Sequence, residues 1–557
     1  MNKKVKLYDA QHSTAQHSTA QHSTAITISI ILIALSIIAN IFLAFYTIPK
    51  RFIRIDQSQH FYDMKKWYES GKLPATSARF IASQVINEEF TTPRVPGGAY
   101  YIFYTLFYKL AQENLLGAKI INFIFNLIII SIFLFWFYKK FGLTTLSFIT
   151  PLILCNGYFV MAITDFWNPN ITLIFSFIFL IFLYSYTEDE NINMVKISSI
   201  MIFPILAIMV QGHFVTFFSM IPTIIIYLII KYKRTLKYII YWCIGIFISF
   251  LLYLPYLISE IQNGFNNTHL MLSVRQSLSK LPFPQMHALS LFPTNEMSVF
   301  YGNSIYGSIN YWMQYPIILL GVLFLFISIC FSFYCIIRGV YFAFNKKYQP
   351  KDNTESTLLE IFRIFLLYIP VTIIFNILAR SKPGTFHYLY NAFAVSYIPI
   401  ILFLFQKREV FLINKKVFYI LSSMLIINIL VMVMQITTYV KNYEKPRSTE
   451  GMRNIAEILL EHSKGRELSI IGVYADDNYM YRDIAAAYFP DMVWNQNNNS
   501  TNLYIILDRI GTLSKPKNTV SEYLEYLSKN ADLIGDNGTL YVYKYNGTEP
   551  LKMPRKK

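Results

Sequence analysis

Cysteine is nearly absent: four in 557 residues, Cys155, Cys243, Cys330 and Cys335, each inside an apolar run. That excludes a disulfide framework and a thiolate metal site, and leaves them as small packing side chains. Charge is scarce too, at 15% of the chain, where soluble domains carry about 25%. Acid is scarcest. Residues 1–440 hold 17 acidic and 33 basic side chains, whereas 441–557 hold 15 and 16. Nearly all of the +17 net charge therefore belongs to the apolar part. It reads as loop charge beside a membrane, with no nucleic-acid partner expected. The central apolar runs carry almost no ionisable residues, which argues against a transporter or flippase. The first run lacks a small-residue cleavage site and reads as a retained span.

What the chain has instead is apolar runs long enough to cross a bilayer, from residue 26 to 440. They predict a polytopic α-helical membrane protein with about eleven transmembrane helices. The spans fall near 26–46, 115–138, 143–161, 170–186, 197–210, 215–230, 238–258, 316–337, 359–377, 389–405 and 417–440. Basic clusters at Lys3/Lys4/Lys6, Lys139/Lys140, 231–237, 338–351 and 407–416 sit on alternate connections. The positive-inside rule places these in the cytoplasm, the N-terminus with them. The first outer loop, 49–98, breaks the pattern with eight basic residues, which a long loop tolerates. A second long outer loop covers 259–315, and 441–557 form a small periplasmic α/β domain. Its strands are expected near 468–474, 503–507 and 539–545, its helices near 479–488 and 520–530. The protein is expected in the bacterial inner membrane.

Residues 1–25 read as a disordered cytoplasmic tail, with three copies of Ala-Gln-His-Ser-Thr over 10–24. Its histidines, His12, His17 and His22, offer at most a weak metal site. A repeated DNA pentamer GCACA, read in threes, encodes this five-residue repeat. Gain or loss of one unit shifts the frame, so the repeat suggests a phase-variable gene. Such genes usually act on surface structures.

The outer connections carry the polar residues that could do chemistry. In the first loop Asp56 follows Arg51 and Arg54, a helix is expected over 60–70, and Pro93-Arg94-Val95-Pro96-Gly97-Gly98 turns the chain before Tyr100. A carboxylate beside the membrane can take a proton from an acceptor hydroxyl, and arginine forks bind a lipid phosphate. Asp56 as a helix N-cap or as a partner of Arg54 is an equal alternative. Asp165 stands in a short turn before Asn168-Pro169, either as a site acid or as an ordinary turn former. Gln211 and His213 tip an apolar hairpin, a costly place unless they face a polar cavity. There His213 would contact an acceptor or a metal. Arg380, Lys382, His387 and Tyr388 lie in a late outer turn, and Arg275 in the second long loop. They are candidate phosphate contacts, or cations and aromatics at the membrane interface.

The arrangement resembles the GT-C glycosyltransferases that use polyprenyl-phosphate sugars, notably lipid A aminoarabinose transferases and protein O-mannosyltransferases. The resemblance is carried by Asp56, Tyr62 or Tyr68, Gly71, Pro74, Pro93, Pro96 and Tyr100, and by the order of spans and outer domain. The family's second acid is replaced by Gln57. The resemblance implies that Asp56 is the general base, with Asp165 a second active-site acid. It implies that Tyr100, Arg275, Arg380, Lys382, His387 and Tyr388 bind substrate or carrier phosphate, and Arg54, Arg94 and His213 are candidates for the same role from their places in the outer connections. The expected reaction is an inverting transfer of a hexose or pentose to a hydroxyl of a periplasmic or outer-leaflet acceptor, lipopolysaccharide or lipid A fitting best. A divalent metal is compatible, although no strong ligand cluster is visible. The rival is an O-antigen polymerase or ligase, which would not need the Asp56 loop.

Overall fold

The computed structural model describes residues 2–51, 55–79, 93–273, 316–378, 386–441, 448–464, 468–473, 502–508, 517–538 and 540–554. Arg54, Arg275, Arg380 and Lys382 lie outside these, as does the helix expected near 479–488.

Apolar segments in a bilayer must satisfy their backbone polar groups internally, and helices do so within one segment. Among the described residues seven helices are long and apolar enough to cross a membrane, or eight if the bent pair Ile239–Leu252 and Leu254–Gln262 is one span. About eleven were expected, and the difference lies in three places. Helix α4 (Leu115–Leu154) takes in the expected connection at 139–142. Forty residues would reach about 60 Å, twice a hydrocarbon core. Its break is at Gly142, whose φ of 79° suits glycine. The expected span 215–230 is a shorter apolar helix. The expected span 389–405 begins as 3-10 turns (Phe386–Ala392 and Val395–Tyr397) before the helix Ile398–Ile413.

Helix α1 (Asn2–Thr47) includes the N-terminal repeat, where composition suggested a tail, and its membrane-grade portion is Thr24–Lys50. A short 3-10 turn, Ile48–Lys50, delivers Arg51. Helix α2 (Ile55–Ser70) follows, then the antiparallel strands β1 (Thr76–Arg79) and β2 (Arg94–Pro96), then α3 (Ala99–Leu110). Gly97 and Gly98 let this turn close. A Cβ on Gly98 would stand 1.8 Å from the Pro74 carbonyl oxygen, and one on Gly97 2.3 Å from the Gln211 side chain.

Asn114 caps α4, its side chain accepting from Gly117 N, and Asn156 does the same for α5 (Gly157–Ile163). Helix α6 (Asn168–Glu188) starts with Pro169 in its first turn, where a missing N–H costs nothing. It pairs with α7 (Ile192–Gly212) as an antiparallel hairpin. The start of α6 and the end of α7 therefore share one end of the bundle, joined by Asn168 donating to the Gly212 carbonyl at 3.0 Å. Lys140 meets Glu188 at the other end, 2.6 Å away.

At the C-terminus a helix (Thr449–Ser463) precedes a four-stranded sheet, β3 (Ser469–Val473), β4 (Leu503–Asp508), β6 (Leu540–Tyr545) and β5 (Ala531–Asp536), in that spatial order. Strands β3 and β4 are parallel and the other pairs antiparallel. The helix Lys517–Asn530 leads into β5. Strands β3, β4 and β6 coincide with the expected ones. Strand β5 carries Asp532 and Asp536 and buries little of itself, so it has no alternating apolar pattern to see.

Candidate active site

Helix α2 sets Asp56, His60 and Asp63 at i, i+4 and i+7, which is one face. That face meets α3 and the 164–168 turn, and the three acids at this end have different partners.

Asp165 is 1% exposed. Lys119 reaches Oδ1 at 3.0 Å and Arg51 reaches Oδ2 at 3.4 Å, while Gln57 Nε2 donates to Oδ2 at 3.2 Å. Its carbonyl accepts from Asn170 at 3.0 Å. Burial of all three groups makes the cluster a structural joint between Arg51, α4 and the turn.

Asp63 is also buried and paired. Arg94 binds it through both guanidinium nitrogens, at 2.9 and 3.1 Å, and Arg79 lies 3.6 Å away. Tyr101 donates to it at 3.1 Å. Burial alone would raise its pKa, but Arg94 and Arg79 bring it down to about 2. Arg94, expected as a phosphate fork, is thus held on Asp63. Asp63 was not among the candidates, although its i+7 spacing from Asp56 was in the sequence.

Asp56 differs. It opens the first turn of α2, where a negative charge suits the helix dipole. The indole Nε1 of Trp167 donates to it at 3.3 Å. Among the described residues no Lys or Arg is within ion-pair distance of it.

Between them, His60 is buried, with Nδ1 3.2 Å from the Tyr101 hydroxyl and Nε2 3.2 Å from Asn168 Oδ1. Burial pushes its pKa down, opposed by Asp56 and Asp63. Its ring packs on Tyr100, with centroids 4.9 Å apart. The Tyr100 hydroxyl is buried and has no hydrogen-bond partner among the described residues, and neither does Gln57 Oε1.

His213 caps the end of α7 and burial lowers its pKa to about 4, so it is neutral at physiological pH. Gln211 instead secures the turn, its Oε1 accepting from Ala99 N at 2.9 Å and its Nε2 donating to the Leu252 carbonyl. His387 and Tyr388 lie in the 3-10 turn Phe386–Ala392, described by backbone alone. The same turn carries Tyr390, within electrostatic reach of Arg51.

Among the described residues no three His, Cys, Asp or Glu side chains converge on one point. Both oxygens of Asp165 face Lys119 and Arg51.

Compared with solved structures, the chain is similar to the Archaeoglobus fulgidus oligosaccharyltransferase in complex with zinc and sulfate. The match covers 93% of this chain and 73% of that one, at 11% identity and a TM-score of 0.50. It also matches ArnT from Cupriavidus metallidurans at 11% identity and a TM-score of 0.49. The apo form covers 92% of this chain and 97% of ArnT, and the form bound to undecaprenyl phosphate 93% and 98%. No family model and no curated protein matches the chain. At such identity the likeness speaks for the fold alone: this is a multi-pass membrane protein with the GT-C fold.

Proposed function

We propose that the chain is a membrane glycosyltransferase that moves a sugar from a polyprenyl-phosphate carrier to an acceptor hydroxyl. The observation that carries this reading is the division among three neighbouring acids. Asp165 and Asp63 are each committed to two cations, whereas among the described residues Asp56 has one neutral donor and no cation. A carboxylate that no cation holds in place is able to take a proton from a hydroxyl brought against it. In the proposed step Asp56 takes the proton of the acceptor hydroxyl as its oxygen bonds to the anomeric carbon. The bond from that carbon to the carrier phosphate breaks with inversion, and polyprenyl phosphate leaves. Charge on the leaving phosphate needs cations. Arg54, Arg275, Arg380 and Lys382 are proposed for this, with His387 and Tyr388, while Arg94 acts through Asp63.

Lipopolysaccharide or lipid A is the proposed acceptor, on the outer face of the bacterial inner membrane. The pentameric repeat supports phase-variable expression of such a surface modification. The test compares surface glycolipids by mass spectrometry from cells with the wild-type gene, a deletion, and Asp56→Asn at matched membrane levels. Loss of the same sugar mass in deletion and variant is expected. A deletion that loses the sugar while Asp56→Asn keeps it would remove Asp56 from the chemistry and favour a polymerase or ligase.

A further inference from the structure

The hydrogen bonds around His60 have directions that can be worked out from their far ends. Asn168 Nδ2 donates to the Gly212 carbonyl at 3.0 Å. The opposite amide orientation would set two oxygens against each other, so Asn168 presents Oδ1 to His60. The Nε2 of His60, 3.2 Å from that oxygen, must therefore carry a proton. At the other ring nitrogen stands the Tyr101 hydroxyl, with one proton and two claimants. These are His60 Nδ1 at 3.2 Å and Asp63 Oδ2 at 3.1 Å.

Two protonation states of His60 are compatible with the set. With neutral His60, Nδ1 is an acceptor, and Tyr101 shares its one proton between that nitrogen and Asp63, which also rests on Arg94 and Arg79. With charged His60, Nδ1–H donates to Tyr101, whose proton turns to Asp63. Among the described residues the charged and titratable groups facing the ring are Asp56 and Asp63 on its own helix, Tyr100 and Tyr101 on α3, and Asp165 in the turn beside Asn168. Arg79 and Arg94 stand behind Asp63.

We propose that His60 is a positioning residue, fixed as its Nε2–H tautomer, that locks the helix bearing Asp56 to the turn bearing Trp167. The lock matters because Trp167 is next to Asn168 and donates to Asp56. The bond from His60 to Asn168 holds that turn against α2, one helical turn from the carboxylate. Losing it removes one of the bonds that keep Trp167 set on Asp56 and loosens the orientation of the carboxylate. The functional half of this inference rests on the proposed glycosyltransferase reading; the tautomer does not.

The experiment is nitrogen-15 NMR of the full-length chain in detergent, with labelled histidine, at neutral pH. The chain has nine histidines, so the His60 signals are those lost in His60→Gln. Tyr101→Phe supplies a second assignment, by moving the Nδ1 signal and leaving the Nε2 signal nearly in place, should His60→Gln not fold. A protonated Nε2 with an unprotonated Nδ1 is expected. A proton on Nδ1 with Nε2 bare overturns the proposal whatever the activity. In turnover, His60→Gln should lower kcat by about 10- to 100-fold with KM for the lipid donor within about twofold. Equal kcat in variant and wild type overturns the positioning role. Wild type that turns over no polyprenyl-phosphate sugar overturns the functional reading and leaves the tautomer to be judged on its spectrum.

Discussion

Removing the charge of Asp165 should cost stability before it costs chemistry. The pair with Lys119 is 3.0 Å long with both side chains at most 2% exposed, and Arg51 closes on the same carboxylate at 3.4 Å. Asp165→Asn leaves an ammonium and a guanidinium buried without their anion. Breaking one side of a buried pair costs about 3–5 kcal/mol, most of it the penalty on the group left behind. Lys119→Met alone should cost less, because Arg51 and Gln57 still hold the carboxylate. The double variant removes both charges of the main pair and should recover a large part of the Asp165→Asn loss. The assay is thermal unfolding of the purified full-length protein in detergent, followed by loss of the monodisperse peak, for wild type, both single variants and the double. A coupling energy of roughly 2 kcal/mol or more is expected, since the residues touch. Wild-type melting of Asp165→Asn, or strict additivity, would refute the reasoning and return Asp165 to the groups that act directly on substrate.

Two more predictions concern α2 and the turn after it. Arg94 and Arg79 hold the Asp63 carboxylate down to about 2, so the stability it adds is present above the ordinary Asp range, near 4, and is lost as pH falls from there toward 2. The gap corresponds to about 2 kcal/mol, and Asp63→Asn should flatten the acid limb of a melting-temperature profile over that window; an unchanged limb would show that other carboxylates set it. Gly98→Ala should prevent the 93–98 turn from closing on Pro74, where a Cβ would lie 1.8 Å from a carbonyl oxygen, whereas Gly71→Ala meets open space and only the strain of a φ of 64°, about 1 kcal/mol. Melting temperatures of the two variants check this, and equal losses would refute the close approach.

Much of this arrangement is legible in the amino-acid sequence. Apolar runs mark most spans, and Asp56, Asp165 and Tyr100 stand in or beside connections that lie at one end of the bundle. The signals that fail share a cause. Lys119 stands near the start of an apolar run, where lysine ordinarily snorkels to the headgroups; nothing local marks its partner 46 positions away. Arg94 reads as a free fork because its carboxylate, Asp63, is a full loop and a hairpin earlier in the chain. Asp63 itself is legible through the i, i+4, i+7 spacing on α2, a pattern usually searched for apolar faces. Gly142 is hidden for the opposite reason: a glycine among basic residues reads as a loop, and here the loop is a single residue of broken helix.

The charge arrangement treats the acids at this end of the bundle differently, two of them held by cations and Asp56 by an indole. Three carboxylates this close would repel one another and raise one another's pKa values in an apolar setting. Arg51, Lys119, Arg79 and Arg94 cancel two of them. Cancellation also fixes those two in place, which turns Asp165 and Asp63 into anchors for the turn and for the β1–β2 hairpin. His60 then spans the anchored parts without adding charge in its neutral form, and Trp167 orients Asp56 as a neutral donor. Moving a positive charge onto Trp167, as in Trp167→Arg, should therefore suppress transfer more than Trp167→Phe, because the first removes basicity and the second only a hydrogen bond. Turnover of the two variants at matched membrane levels decides it, and a more active arginine variant would mean that Asp56 serves as an anchor too.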